Sequence, residues 1–286
     1  MPERPSPSPS SAAGAPDATP SAGVVFCATG TRYVEMARAA AAGLRRTDPG
    51  LPCDLFTDGG ERVDGFDRTV ALGASSRRPK IEAMARSRFD RTLFLDADVF
   101  VLNPVAPILA LLDRFDVALA HDFERNSPHG RRVWREAVPA SFPQYNSGVI
   151  GFRRSDAVGA LLRAWGDGLE ALGGGRDQPV LRELLWRSDL RIATLPPEYN
   201  FCDLGALPFF RRATPAPRIV HYCQRKPPAG RPVDPAAVLG PATLRVIDAM
   251  ARADGTLRPA GRDAGPGRMG KRLLQARALL EGMRAR

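Results

Sequence analysis

The chain has 286 residues, of which 44% are hydrophobic and 25% are charged, and its formal net charge is +10 at pH 7. This length and composition exclude a disulfide-stapled miniprotein and predict a globular protein with a buried core. The charge does not favour a nucleic-acid binder, because residues 255–286 carry eight Lys or Arg against two acids and so hold most of the excess. No apolar run approaches the roughly 20 residues that span a bilayer.

The two ends of the chain differ in composition from its centre. Residues 1–22 are rich in Pro, Ser and Ala without apolar periodicity, which predicts a disordered tail. Residues 23–250 are predicted to form one α/β domain, and residues 251–286 a basic linker and an amphipathic helix. The absence of a secretory apolar region favours a cytoplasmic protein. Four cysteines without C-x-x-C or zinc-ligand spacing predict buried reduced thiols.

Short apolar runs alternate with helical periodicity through the predicted domain. Val24–Cys27 and Asp54–Thr57 predict buried strands, and Tyr33, Ala37 and Leu44 between them share one helical face. Such a βαβ unit implies a parallel sheet. Further strands are predicted at Thr69–Leu72, Thr92–Leu95, Val117–Ala120, Gly148–Phe152 and Ile219–Val220, and further helices at Lys80–Arg88, at Val105–Leu112 after an Asn103 cap and Pro104, and after Ser155 and Asp177.

The segment Asp96-Ala97-Asp98 lies at the carboxyl end of a predicted buried strand. Open α/β sheets bind ligands at this edge. Two neighbouring carboxylates there can hold a divalent cation, whose remaining coordination positions bind the oxygens of a diphosphate. The alternative is a pair of surface acids in a strand-to-loop turn.

Other polar residues are candidates for the same site. Asn146 and Ser147 lead into a buried strand, where they either contact a sugar or form a turn. Asp177 and Gln178 open a helix, so Asp177 either caps the helix or lies beside a reacting sugar. His221 ends the last predicted strand, as a rim residue or as a ligand.

Lysine is rare in this chain. Lys80, Lys226 and Lys271 are the only lysines among 41 basic residues. Where arginine is the usual cation, a lysine suggests a position that needs a compact charge with rotatable donors. Lys80 and Lys226 are therefore candidates for binding phosphate.

Six short segments, taken in their order along the chain, resemble those of the GT-A glycosyltransferases. They are most similar to glycosyltransferase family 8, which contains glycogenin and bacterial lipopolysaccharide galactosyltransferases. The resemblance spans about residues 23–230. It implies a Rossmann-like GT-A fold in a single domain, with a mostly parallel central sheet flanked by helices. The segments that carry it are Thr92–Val101, Tyr145–Val149, Asp177-Gln178, Leu195–Phe201, His221-Tyr222 and Lys226-Pro227.

The resemblance also implies an activity and a role for each matched residue. The enzyme would transfer a sugar from a nucleotide-sugar, above all a UDP-sugar, with retention of configuration. Asp96, Asp98 and His221 would hold Mn²⁺ or Mg²⁺. Asp177 and Gln178 would flank the anomeric carbon, and Lys226 would stabilise the leaving diphosphate. The donor-binding residues would be Ala28, Thr29, Gly30, Thr31, Tyr33, Lys80, Asp96, Ala97, Asp98, Asn146 and Ser147.

Two other functions compete with sugar transfer. A haloacid-dehalogenase-type phosphatase also uses a D-x-D-x-V segment at a strand end, but that fold carries it on the first strand, whereas here a βαβ unit precedes it. A catalytically inactive nucleotide-sugar-binding protein would keep the same residues without turnover.

The acceptor is unspecified by the sequence: a carbohydrate, a lipid-linked sugar or another small molecule. The polar segment 122–143 is a candidate for its pocket, with Trp134 suited to a sugar face and Arg131 and Arg132 to a phosphate or carboxylate. The apolar stripe Met269, Leu273, Ala276, Leu280 and Met283 predicts a C-terminal helix with a basic opposite face. That helix docks on its own domain or contacts the inner membrane face peripherally.

Overall fold

A computed structural model describes residues 21–73, 78–128, 130–172, 175–209, 214–222, 227 and 232–258. The strands are β1 (Ala22–Cys27), β2 (Cys53–Thr57), β3 (Arg68–Ala71), β4 (Arg91–Asp96), β5 (Val99–Val101), β6 (Val117–His121), β7 (Tyr145–Arg153), β8 (Ile192–Leu195) and β9 (Ile219–His221). The α-helices are α1 (Gly30–Thr47), α2 (Pro79–Ala85), α3 (Pro107–Leu111), α4 (Asp156–Ala171), α5 (Gln178–Arg187), α6 (Pro235–Leu239) and α7 (Pro241–Ala253). Residues Pro197–Tyr199, Leu204–Phe209 and Gly255–Leu257 form 3₁₀ turns.

Seven strands form a central sheet in the order β3-β2-β1-β4-β7-β6-β8. All pair in parallel except β7, which is antiparallel to both β4 and β6. The predicted mostly parallel α/β sheet flanked by helices is confirmed. Strands β5 and β9 form a separate antiparallel pair, so the last predicted strand does not join the main sheet.

Apolar layers cover both faces of the sheet. One layer packs α1, α3 and the β5–β9 pair against the sheet, with Leu44, Ile108 and Val220 fully or almost fully buried. The other packs α2, α4 and α5, with Met84 and Trp165 at its centre. Each helix therefore uses one apolar face, as its periodicity predicts.

The start of α3 differs from the sequence prediction. The helix begins at Pro107, and Asn103 does not cap it; its side-chain amide instead donates to the carbonyl oxygen of Pro217 over 2.7 Å. The backbone amides of Val105 and Ala106 are bound by the carboxylate of Asp48. Asp48, which is distant in sequence, thus holds the two residues just before the helix, and local sequence could not reveal this.

Strand β7 begins earlier than predicted, at Tyr145. Asn146 and Ser147 are therefore strand residues and not a turn. Helix α2 ends at Ala85, three residues before the predicted end. At α4 the prediction is confirmed, because the Ser155 hydroxyl accepts from the Val158 amide over 3.2 Å.

The described chain extends beyond the predicted boundary at residue 250, which falls inside α7. The predicted C-terminal helix and nearly all of the predicted N-terminal tail lie outside the described residues. Of the cysteines, Cys27 and Cys53 are free thiols. Among the described helices, none combines the length and the apolar character needed to cross a membrane.

A buried ion pair fixes the segment that leads into β9. The Asp254 carboxylate accepts from the Arg218 guanidinium over 2.8 Å and from the Ala216 amide over 2.9 Å, and both charged side chains are almost fully buried. Burial disfavours the ionised form of Asp254 and by itself would raise its pKa. The hydrogen bonds to the carboxylate outweigh this effect and lower the pKa from 3.8 to about 2. The pair thereby holds the strand that carries His221.

We predict that Asp254→Asn lowers the free energy of unfolding by about 3 kcal/mol at neutral pH, because it leaves Arg218 buried without its counter-charge. A depressed folded-state pKa stabilises the protein above the ordinary pKa of 3.8, and this stabilisation is lost as the pH falls towards about 2. Urea unfolding over this range should show a smaller pH dependence for the variant. Asp248→Asn, on the exposed side of α7, is the control, and equal stabilities of the two variants would contradict the prediction.

Candidate active site

The Asp96-Ala97-Asp98 segment joins the main sheet to the small one. Asp96 is the last residue of β4, at the edge where the parallel strands end, and Asp98 directly precedes β5. Because Val99 of β5 pairs with His221 of β9, the imidazole lies beside Asp98, with its Nε2 atom 3.2 Å from Asp98 Oδ1. Strand pairing thus brings together residues more than 120 positions apart.

The three predicted metal ligands lie close together. Asp96, Asp98 and His221 each offer one ligand atom, and these atoms all lie within 4.8 Å of one another. His221 is buried, whereas both carboxylates are partly exposed. Solvent therefore reaches the group from the side of the two carboxylates, whereas the imidazole is enclosed by the protein.

A chain of hydrogen bonds defines the protonation of His221. The Gly148 amide can only donate, so the Asn146 atom that faces it at 2.9 Å is the oxygen Oδ1. That oxygen also accepts from Asn200 Nδ2 over 2.9 Å, which leaves Asn200 Oδ1 facing His221 Nδ1 at 3.1 Å. The hydrogen on His221 is therefore on Nδ1.

In its neutral form, this tautomer has a lone pair on Nε2 that points at a carboxylate oxygen. Two acceptors 3.2 Å apart repel unless positive charge lies between them. Burial opposes the charge of Asp98, but the hydrogen bond and the charge of His221 outweigh it and lower its pKa. Either a second proton on His221 or a metal cation can supply the missing charge.

Gly148 allows this approach of the imidazole. A Cβ atom built at Gly148 would lie 2.3 Å from His221 Cε1 and 2.8 Å from Nδ1. Any side chain at this position would displace the ring. The glycine of the Tyr145–Val149 motif thus has a steric role that the sequence alone did not reveal.

Lys80 lies at the centre of a cluster of side chains from four elements. Its Nζ atom is 3.0 Å from Asp96 Oδ1, 3.1 Å from Ser147 Oγ and 3.6 Å from Asp177 Oδ2. Ser147 accepts from Lys80 and donates to Asp177 over 3.0 Å. Because Lys80 leads α2, Asp96 ends β4, Ser147 is in β7 and Asp177 precedes α5, the cluster joins four rigid elements.

The cluster has more negative than positive charge. Burial opposes the charge of Lys80, but the carboxylates of Asp96 and Asp177 outweigh it and raise its pKa. Burial raises the pKa of Asp96, and the charge of Asp98 adds to this effect. Counted together with Asp98, three carboxylates face one lysine, so that negative charge is in excess.

Asp177 is positioned by its backbone and its side chain. The Trp165 indole donates to its carbonyl oxygen over 3.1 Å, and its carboxylate binds Ser147 and Lys80. It makes no side-chain capping bond to α5, so of its two predicted roles the structure supports the one at the site. Gln178 is buried, and its Oε1 atom has no hydrogen-bond partner.

The predicted donor-binding loop leads from β1 into α1. Thr29, Gly30 and Thr31 are exposed, whereas Tyr33 packs partly buried against the core. The Gly30 amide, in a residue with a φ of 75°, donates to the Asp58 carboxylate over 3.1 Å. This bond lowers the pKa of Asp58. Ala28 is buried at the end of β1.

Of the other predicted residues, Lys226 lies outside those that the structure describes. Trp134 is not free to stack on a sugar: Arg135 lies over its ring at 4.2 Å, and the ring packs so closely on Gly168 that a Cβ there would lie 2.9 Å away. Asn200 has a role at the site that the analysis of the sequence missed, although it belongs to the recognised Leu195–Phe201 motif.

Comparison with known families agrees with this geometry. The family described as nucleotide-diphospho-sugar transferase matches residues 82–224, which is half of the chain. That range contains Asp96, Asp98, Asp177 and His221. A search of curated proteins finds no match.

Solved structures share the fold at low sequence identity. The galactosyltransferase LgtC, crystallised with donor and acceptor sugar analogues, is 17% identical, with 83% of this chain and 98% of that chain covered and a TM-score of 0.53. The glycosyltransferase GlyE of Streptococcus pneumoniae TIGR4 is 20% identical, with 80% of this chain and 63% of that chain covered and a TM-score of 0.51. This chain therefore spans somewhat less than two thirds of GlyE.

We predict that Gly148→Ala displaces the His221 imidazole, because the added methyl group would overlap the ring. The His221 side-chain resonances should shift in nuclear magnetic resonance spectra, where only three histidines contribute. Gly151→Ala is the matched control, since it adds a methyl group to the same strand that meets Ile108 instead. Equal shifts of the His221 signals in both variants would contradict a specific role for Gly148.

Proposed function

Because the chain belongs to the nucleotide-diphospho-sugar transferase family, we propose that this glycosyltransferase uses a UDP-sugar and a divalent cation and retains the anomeric configuration. The cation would be held by Asp96, Asp98 and His221. The observation that carries the proposal is that Asp96, Asp98 and His221 bring their ligand atoms within 4.8 Å of one another, beside the further carboxylate of Asp177.

The site residues fit a metal ion in both geometry and charge. Asp96, Asp98 and His221 offer two oxygens and one nitrogen within 4.8 Å of one another, a donor set that suits Mn²⁺ better than Mg²⁺. Asn200 accepts the Nδ1 hydrogen of His221, which is the usual outer contact of a metal-binding histidine. A bound cation would also offset the excess negative charge of Asp96, Asp98 and Asp177 over Lys80.

Sugar transfer requires the bond between the anomeric carbon and the diphosphate to break, so charge develops on the departing oxygen. A bound metal would neutralise part of that charge as a Lewis acid. Lys80 would bind the donor phosphates or the sugar, since its ammonium group is already oriented by Asp96 and Ser147. Lys226, outside the described residues, is proposed as a second cation for the leaving diphosphate.

Asp177 and Gln178 would act at the anomeric carbon. The carboxylate of Asp177 is held by Lys80 and Ser147, which suits either a nucleophile or a group that stabilises a cationic sugar. The buried Oε1 atom of Gln178 lacks a partner in the free protein and would accept from a sugar hydroxyl. Retention of configuration is compatible with both routes.

The phosphatase interpretation is not retained, because the matching family consists of nucleotide-diphospho-sugar transferases. An inactive nucleotide-sugar-binding protein differs from the proposal in one measurable way, since it would bind a donor without releasing nucleoside diphosphate. A cytoplasmic location and a peripheral membrane contact through residues 264–286 belong to the proposal as well.

We predict that the full chain releases UDP from a UDP-sugar with Mn²⁺ and that EDTA abolishes the release. Asp96→Asn and Asp98→Asn should each lower kcat by at least 100-fold, the usual order for loss of an electrostatic contact to the transition state. Asp90→Asn is the matched control, because Asp90 lies exposed at the other end of β4.

A panel of nucleotide-sugars identifies the donor in the same assay. Full activity of both site variants, or equal activity in EDTA, would contradict the metal site. Binding of UDP-sugar in Mn²⁺ without any release would favour the inactive binding protein.

A further inference from the structure

A small basic pocket lies beside the candidate active site. It has a volume of about 200 Å³ and lies between the segment 122–144, the start of β7 and α5. Its described lining residues are Arg125, Gly130, Arg131, Val133, Val138, Ala140, Pro143, Gln144 and Arg182.

The pocket is positively charged. Its described lining includes three arginines and no carboxylate, and none of these arginines forms an ion pair with a described acid. Arg182 is held rigidly, because it donates to the carbonyl oxygens of Phe142 over 2.7 Å and Pro139 over 2.9 Å. With no carboxylate beside it, burial lowers the pKa of Arg182. Guanidinium groups in such a setting favour phosphate or carboxylate.

Gln144 adds a second feature that points to a ligand. Its side chain lines the pocket and the residue is 2% exposed, yet neither Nε2 nor Oε1 has a hydrogen-bond partner. Leaving a buried polar group unpaired is unfavourable. A ligand that both donates and accepts, such as a hydroxyl next to an anion, would satisfy both atoms.

The pocket and the candidate active site share two elements. Gln144 precedes Asn146 by two residues along the chain into β7, which corresponds to about 7 Å. Arg182 follows Gln178 by four residues on α5, which places both on one face and about 6 Å apart along the axis. A ligand in the pocket would therefore lie about one sugar ring from the donor site.

We infer that this pocket binds the anionic group, a phosphate or a carboxylate, of a saccharide acceptor. The inference rests on the proposed sugar transfer. A volume of about 200 Å³ is below that of pockets which enclose a whole drug-sized ligand, so it suits a single charged sugar and not an oligosaccharide. With the anion among the arginines, another hydroxyl of the acceptor would face Asp177.

Calorimetric titration of the full chain can test this inference. The probes are glucose 6-phosphate, glucuronate and glucose, at low ionic strength and with UDP and Mn²⁺ filling the donor site. At least one anionic probe should bind more tightly than glucose, and which of the two binds identifies the anion. The double variant Arg125→Gln/Arg131→Gln should bind that probe about tenfold more weakly. Arg132→Gln is the control, because Arg132 is exposed next to the pocket without being among its described lining residues.

Gln144→Leu separates ligand binding from folding. Replacing an unpartnered buried amide with an apolar group should raise the melting temperature of the free protein and lower its affinity for the anionic probe. A variant that is less stable and binds the probe normally would overturn the role of Gln144 as a ligand contact.

The remaining outcomes are also decisive. Equal binding of glucose and both anionic probes, or an unchanged affinity in the double arginine variant, would overturn the inference. UDP binding in Mn²⁺ is measured separately. If UDP does not bind but the anionic probe binds in an arginine-dependent manner, the proposed donor chemistry fails and the anion site stands.

Discussion

The contact between Asp98 and His221 is the constraint on which the candidate site depends. The Nε2 atom of His221 and the carboxylate oxygen of Asp98 lie 3.2 Å apart, which requires a proton or a cation between them. Three features fix their positions: the pairing of β5 with β9, the absence of a side chain at Gly148, and the amide of Asn200, which fixes the ring orientation. If a cation binds here as proposed, its ligands are already in place, which would lower the cost of reorganisation.

Lys80 and its carboxylate partners are also held in place by elements that pack into the core. A partly buried cation held by carboxylates on β4 and before α5 interacts far more strongly than it would in water. Because each partner is at the end of a strand or helix that packs into the core, the charges cannot move apart. The packing of α2, α4 and α5 on the sheet thus makes this cluster rigid and also fixes the positions of its charges.

The sequence predicted most of the elements, because they depend on local signals, and through the resemblance of its motifs it predicted that Asp96, Asp98 and His221 lie close together. Apolar runs marked the strands, and carboxylates after such a run marked the ligand-binding edge. What it could not predict depends on contacts between distant residues. Asp48, and not Asn103, binds the backbone just before α3, and the ring of Trp134 packs on Gly168. The sequence around Asp48 or Gly168 does not indicate either contact.

The charges of the two neighbouring sites have opposite signs, and this difference bears on how an acceptor would be oriented. The carboxylate cluster around Lys80 repels an acceptor anion, whereas the arginines of the pocket attract it. Both forces favour the same orientation, with the anion away from Asp177 and a hydroxyl towards it. Since proximity and orientation alone can contribute several kcal/mol to a transfer reaction, a fixed anion would select which hydroxyl reacts. If the acceptor binds as inferred, the segment 122–144, which has no helix or strand of its own among its described residues, would determine regiochemistry through charge, and the residues at the sheet edge would carry out the proposed transfer.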